Sequence, residues 1–171
     1  MKKIIFLLVI FGMVVLLASC GRLSKEQWGK EVNGLIMQLT GPESVEVNGP
    51  FEVNIILKNI SSKPIILEWG YPSYFNCRLN MLDQNGYSLE WVPPPKVITI
   101  LPPPVTINPN KIYTVTKRLN KDGHFTSPLK AGMKLTITAY YEEGKGKYVP
   151  DAWSGILTSN PISVNIVDNN P

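Results

Sequence analysis

The chain has 171 residues, of which 44% are hydrophobic and 18% are charged, and its formal net charge is +4. One histidine excludes a metal site built from several histidines, and the scattered lysines and arginines do not favour a nucleic-acid partner. The two cysteines, Cys20 and Cys77, are too few for a disulfide framework.

The first nineteen residues have the pattern of an export signal. Lys2 and Lys3 are followed by fifteen uncharged residues, from Ile4 to Ala18. A bilayer-spanning helix needs about 20 apolar residues, whereas a secretory signal peptide has an apolar segment of about 7–15. We therefore predict a cleaved signal peptide over residues 1–19. Its removal leaves 152 residues with a net charge of +2, enough for one domain.

The end of this segment, Leu17-Ala18-Ser19-Cys20, resembles the lipobox of bacterial lipoproteins. The resemblance implies that the Cys20 thiol receives a diacylglyceryl group and that acylated Cys20 becomes the first mature residue. Two or three acyl chains anchor a protein stably, so membrane lipid is the first expected partner. The alternative is an ordinary signal peptide or an uncleaved anchor helix. Gly21 favours the outer membrane in double-membraned bacteria, and the expected location is extracytoplasmic, on the cell membrane or the outer membrane.

Residues 20–33 are predicted to be a polar tether that carries one aromatic residue, Trp28. At about 3.3–3.6 Å per residue the tether spans at most about 45 Å. The domain is therefore expected to stay close to the membrane surface.

Residues 34–171 read almost entirely as short strands separated by glycine, proline, asparagine and serine. "FEVNIILK" (51–58) alternates apolar and polar residues, and "DQNG" (83–86) is typical of a tight hairpin. We predict an all-β fold, a single immunoglobulin-like antiparallel β-sandwich of about eight or nine strands. The other expected strands are "GLIMQLTG" with "SVEV", "PIILEW", "KVITIL", "KIYTVTKRL", "MKLTITAYY" and "PISVNIV".

Two proline triplets, Pro93–Pro95 and Pro102–Pro104, flank "KVITIL". Proline lacks the N–H that a central strand needs. The triplets are interpreted as rigid connections at a sheet edge, with polyproline ridges for a partner as the alternative.

The stretch from residue 51 to 141 is similar to the bacterial intracellular proteinase inhibitor family of immunoglobulin-like sandwiches. Its matching positions are an N-x-S turn, a D-x-x-G hairpin and a following aromatic, here Asn59, Ser61, Asp83, Gly86 and Trp91. The resemblance implies the sandwich fold and, as an alternative function, inhibition of an extracytoplasmic serine protease. No inhibitory residue can be placed on this sequence.

Catalytic patterns are weak. His124 lies in the expected loop "KDGHFTS", and no G-x-S-x-G sequence accompanies it. Glu142, Glu143 and Asp151 lack calcium-loop spacing and are interpreted as a solvated acidic turn. Lys117-Arg118 is likewise assigned to solvated surface, and Cys77 to a buried, unreactive thiol. We therefore expect no enzyme activity, no metal and no cofactor.

The clearest binding pattern is aromatic. "EWGYPSYF" places Trp69, Tyr71, Tyr74 and Phe75 in one loop, where rings can anchor a partner or stack on sugars. The alternative is that some of them close the end of the sandwich. Spacing leaves open whether Trp153 joins this surface or packs beneath it.

These observations predict a membrane-anchored lipoprotein that acts as a non-catalytic binding or structural module of the cell envelope. Its further partner is an unidentified envelope protein or glycan. The alternatives are a regulator of an extracytoplasmic serine protease and an accessory protein that binds wall glycan.

Overall fold

A computed structural model describes residues 27–68, 77–92, 103–120, 124–144, 146 and 149–168. These residues form thirteen strands and no helix, so no helix among them could span a membrane. The expected all-β fold is confirmed. Several predicted features lie outside the described residues: Cys20, both proline triplets apart from Pro103 and Pro104, and the segment from Trp69 to Asn76.

The first sheet has three antiparallel strands in the order β1-β3-β9. Leu35 pairs with Asn59 at one end of β3, and Phe51 pairs with Leu119 at the other. The strands are β1 (Leu35–Thr40), β3 (Phe51–Asn59) and β9 (Ile112–Leu119).

The second sheet has the order β2-β13-β11-β5-β6, and β12 also pairs with β11. Two short pairs, β4 with β8 and β7 with β10, complete the structure. The strands of the second sheet are β2 (Ser44–Glu46), β5 (Cys77–Leu82), β6 (Ser88–Leu89), β11 (Lys134–Glu143), β12 (Gly155–Thr158) and β13 (Ile162–Val167). The short pairs consist of β4 (Ile65–Leu67), β7 (Trp91–Val92), β8 (Val105–Ile107) and β10 (His124–Phe125).

This strand order is that of an immunoglobulin-like sandwich. In the usual lettering, β1, β3 and β9 are strands A, B and E of one sheet, while β13, β11 and β5 are G, F and C of the other. The chain changes sheets between β1 and β2, because β1 pairs with β3 of the first sheet and β2 runs parallel to β13 of the second. The sandwich is therefore antiparallel except for this one pair among the described strands.

The strand count differs from the expected eight or nine because six of the thirteen strands have only two or three residues: β2, β4, β6, β7, β8 and β10. A strand of two or three residues is too short to show an alternation of buried and exposed side chains. The long strands follow the pattern closely. In β3 and β11 the buried and less buried residues alternate along the whole strand, and the buried side chains of the two sheets form one core.

Two turns explain how the chain reverses direction. In the expected hairpin between β5 and β6, Gly86 has a φ of 82°, and the Asp83 carboxylate accepts hydrogen bonds from the backbone of Asn85 and Tyr87. Asn33 and Gly34 both have positive φ, of 49° and 82°, so they form a type I′ turn that folds residues 29–32 back along β1.

Candidate functional site

The aromatic residues predicted to bind a partner, Trp69, Tyr71, Tyr74 and Phe75, lie outside the described residues, as does the predicted lipidation site, Cys20. The structure does describe the residues on both sides of the aromatic segment. Glu68 follows β4, and Cys77 begins β5 opposite Tyr141 of β11. The segment 69–76 therefore connects β4 to β5 at the end of the sandwich where β11 finishes.

The N-terminal turn that leads into β1 lies at the same end. Leu35 starts β1 opposite Asn59, the last residue of β3. The backbone N–H of Ile60 donates to the carbonyl of Gly34 at 2.8 Å, which fixes the N-terminal turn beside the end of β3. We call this end of the sandwich the tethered end, defined by Gly34, Asn59 and Cys77.

A buried hydrogen-bonded group lies at the tethered end, next to Glu68, the last described residue before the aromatic segment. The Tyr141 hydroxyl donates to Glu143 Oε2 at 2.5 Å, and Glu143 Oε1 accepts from the backbone N–H of Glu68 at 2.7 Å. Glu143 is 4% exposed. Burial, the hydrogen bond to Glu143 and the charge of that carboxylate raise the pKa of Tyr141 well above its ordinary value. Tyr141 therefore remains a protonated donor.

The interpretation of Glu142-Glu143 as a solvated acidic turn is correct for Glu142, which is exposed, and wrong for Glu143. Residues two apart on a strand share a face, so Tyr141 and Glu143 both point into the core. The alternation in "AYYEE" contains this information, and sequence reasoning missed it because a glutamate at a core position is rare.

The connection from β11 to β12 is held against this group. The backbone N–H of Val149 donates to Glu68 Oε1 at 3.2 Å, and the backbone N–H of Trp153 donates to the Ile66 carbonyl at 2.7 Å. Trp153 is 6% exposed, and its ring centroid lies 5.7 Å from that of Tyr141. The sequence leaves open whether Trp153 is part of an exposed aromatic surface or is packed in the interior. The structure shows that Trp153 is packed in the interior, against Tyr141.

Cys77 offers no reactive thiol. Its side chain is buried, which confirms the sequence-based expectation, and it forms no disulfide. Burial raises the pKa of Cys77 to about 11, although the positive charge of Lys117 opposes the shift. The thiol is therefore protonated at neutral pH and is not a nucleophile.

Lys117 was assigned to solvated surface and is buried instead, because it faces inward on β9. Its neighbour Arg118 is exposed and forms an ion pair with Glu52 at 2.8 Å.

The residues on which the expected resemblance to the proteinase inhibitor family rests have structural contacts. Asn59 is fully buried, and its amide nitrogen donates to the carbonyls of Lys63 and Ile107, both at 2.7 Å. Its Oδ1 accepts from the backbone N–H and the hydroxyl of Ser61. These two side chains, like Asp83 and Gly86 in the hairpin, organise turns.

Within the described ranges, no three histidine, cysteine, aspartate or glutamate side chains come together as a metal site. The expected loop position of His124 is wrong, because its backbone pairs with Val92 in the two-residue strand β10.

No family model and no curated protein matches the sequence. The chain is similar to the CARDB domain of the PF1109 protein from Pyrococcus furiosus. A crystal structure of that domain in complex with di-metal ions is 18% identical, with a TM-score of 0.39, and the match covers 85% of this chain and 99% of the other. A solution NMR structure of the same domain is 17% identical, with a TM-score of 0.35, and that match covers 78% of this chain and 94% of the other. At these TM-scores the likeness adds no argument, and the fold assignment stands on the strand order.

Proposed function

We propose that the protein is a lipid-anchored, non-catalytic binding module of the bacterial cell envelope. In this proposal the Cys20 thiol carries the lipid, and the aromatic segment from Trp69 to Phe75 forms the recognition surface. The lipobox pattern at Leu17–Cys20 supports the anchor, and the four rings in seven residues support recognition.

One observation carries the proposal. The turn that leads into β1 lies at the tethered end, and β4 and β5 bring both sides of the aromatic segment to that same end. The Gly29 N–H donates to the Met37 carbonyl, so the tether leaves the domain beside the middle of β1, and its length allows the recognition surface to face the membrane. A partner bound there lies at the membrane surface, which favours an envelope protein embedded in or attached to the membrane.

The effective tether is shorter than the sequence indicates. The Gly29 N–H donates to the Met37 carbonyl at 2.8 Å, and the Val32 carbonyl accepts from the Trp153 indole N–H, so residues from about 28 onward belong to the folded domain. The nine residues from Cys20 to Trp28 are joined by eight Cα–Cα steps and span at most about 29 Å.

Crosslinking in intact cells tests the proposal. The partners captured by the lipidated protein are identified by mass spectrometry and compared with those of a Trp69→Ala/Tyr71→Ala variant. A Tyr87→Ala variant is the matched control, because Tyr87 is 72% exposed in the hairpin at the opposite end. We expect one reproducible membrane-associated protein that the double variant loses and the control keeps.

Capture of nothing specific, or of the same proteins by all three forms, would contradict recognition through this segment. Tryptophan fluorescence then distinguishes the glycan alternative. A spectral shift with wall fragments that disappears in Trp69→Ala would identify a glycan-binding protein.

A further inference from the structure

The outer face of the first sheet carries apolar side chains next to lysines at the tethered end. Ile36, Lys58 and Ile112 lie in one cross-strand row, because Lys58 of β3 pairs with Ile36 of β1 and with Ile112 of β9. The Lys58 ammonium lies 5.5 Å from the centroid of the Trp28 ring. Ile60 continues the outward alternation of β3 beyond buried Asn59. Ile60 and Ile112 are 43% and 59% exposed.

The segments that form this corner are basic. Residues 27–36, 56–63 and 108–114 contain four lysines and one acidic residue, Glu31. Among the described residues, none of these lysines forms an ion pair with a carboxylate. The four lysines are Lys30, Lys58, Lys63 and Lys111.

We propose that this surface, the basic corner formed by Trp28, Ile60, Ile112 and the four lysines, rests on the anionic membrane surface and sets the orientation of the domain. The inference depends on the lipid anchor of the proposed function. Tryptophan is enriched at membrane interfaces, and lysines close to a bilayer are attracted by anionic lipid headgroups. Exposed isoleucines beside a ring supply the apolar contact.

Trp28 is the residue of the basic corner that lies closest along the chain to the lipid anchor. Trp28 can lie no further than about 29 Å from the lipidated Cys20. The basic corner therefore lies where the tether meets the domain, within reach of the bilayer.

Site-specific labelling of the lipidated full-length protein tests the inference. An environment-sensitive fluorophore is attached at Ile112→Cys or Ile60→Cys, with Tyr87→Cys as the matched control at the opposite end. Cys20 is blocked by its lipid, and Cys77 is buried. The protein is reconstituted in vesicles of phosphatidylcholine brominated in the acyl chains, with or without phosphatidylglycerol. Vesicle flotation reports the anchor, and bromine quenching reports contact with lipid.

We expect quenching at both isoleucine positions and none at Tyr87. A Lys58→Glu/Lys63→Glu/Lys111→Glu variant, or omission of phosphatidylglycerol, should reduce the quenching severalfold while the protein still floats. Equal quenching at all three positions, or at none, in floating protein would overturn the basic corner and leave the anchor intact. Protein that does not float would overturn both.

Discussion

The amide nitrogen of Asn59 lies 2.7 Å from the carbonyl oxygen of Ile107 and donates a hydrogen bond to it across 48 residues of sequence. The bond joins the last residue of β3 to the last residue of β8. The same amide group holds the turn at Ser61 and Lys63. One buried side chain therefore fixes the position at which the chain leaves β3 and turns towards β4. Because β4 leads into the aromatic segment, Asn59 also positions the predicted recognition surface.

Replacement of Asn59 by alanine should destabilise the domain by about 3 kcal/mol, because it leaves the Lys63 and Ile107 carbonyls and the Ser61 N–H without their partner. The measurement is urea unfolding, in which the midpoint falls and the slope is unchanged. Asn54→Ala is the control, since Asn54 lies on the same strand as Asn59 and accepts one exposed hydrogen bond, from Thr116 of β9. It should cost less than about 1 kcal/mol, and equal losses would contradict the assigned role of Asn59.

Tyr141→Phe should cost about 1–3 kcal/mol, because it removes the donor to Glu143 Oε2 and leaves a buried carboxylate oxygen without that bond. Tyr140→Phe is the control, since Tyr140 precedes it on the same strand and is 38% exposed. The control should change stability by less than about 0.5 kcal/mol. Thermal unfolding of both variants provides the measurement. Similar melting temperatures for the two would argue against the buried hydrogen bond.

Stability should fall as the pH rises from about 9 to about 11. The ordinary pKa of a cysteine is 9.0 and that of folded Cys77 is about 11, so in this range the unfolded chain releases a proton that the folded protein keeps. Two pKa units correspond to about 3 kcal/mol. Tyr141 adds to the loss at higher pH, because its pKa is also raised.

Comparison with Cys77→Ala isolates the thiol. The variant should show a smaller decrease in unfolding free energy over this pH range, measured by urea unfolding at a series of pH values. Parallel curves for the two proteins would mean that Cys77 keeps an ordinary pKa.

The strands most easily predicted from sequence are those whose side chains alternate between core and solvent. The alternation of β3 and β11 over nine and ten residues is visible in the sequence, and it gives the all-β fold. The sequence pattern does not identify the strand's partner. The transfer of β2 to the second sheet, parallel to β13, depends on contacts between segments more than 110 residues apart.

The site was predicted less completely than the fold, for a related reason. The cluster of aromatic residues can be seen in the sequence because its members are close along the chain. The hydrogen bonds of Tyr141, Glu143 and Glu68 join β11 to the end of β4, which are far apart in the sequence. A glutamate in a core position is recognised only when its partners are known. The Asn33-Gly34 turn could have been predicted from its dipeptide alone, and it would have shortened the expected tether.

Protease inhibition through the shared turn residues is not expected, because Asn59, Ser61 and Asp83 are already engaged in bonds within the domain. The purified domain, titrated to micromolar concentration against a panel of serine proteases, should leave every activity unchanged. Stoichiometric inhibition of one protease would revive the regulator hypothesis. Its loss in a hairpin variant such as Tyr87→Ala, and not in Trp69→Ala, would then place the inhibitory surface at the opposite end from the tether.

Cys20→Ser should abolish the lipid anchor, because serine has no thiol to form the thioether. Cells fed a labelled fatty acid should label the unmodified protein and not the variant, and the variant should leave the membrane fraction. Cys77→Ser is the matched control, since Cys77 is buried in the domain and should not affect labelling. Labelling that persists in Cys20→Ser would overturn the anchor. It would also remove the reason for placing the tethered end at the membrane, because the limit of about 29 Å is measured from the lipid on Cys20.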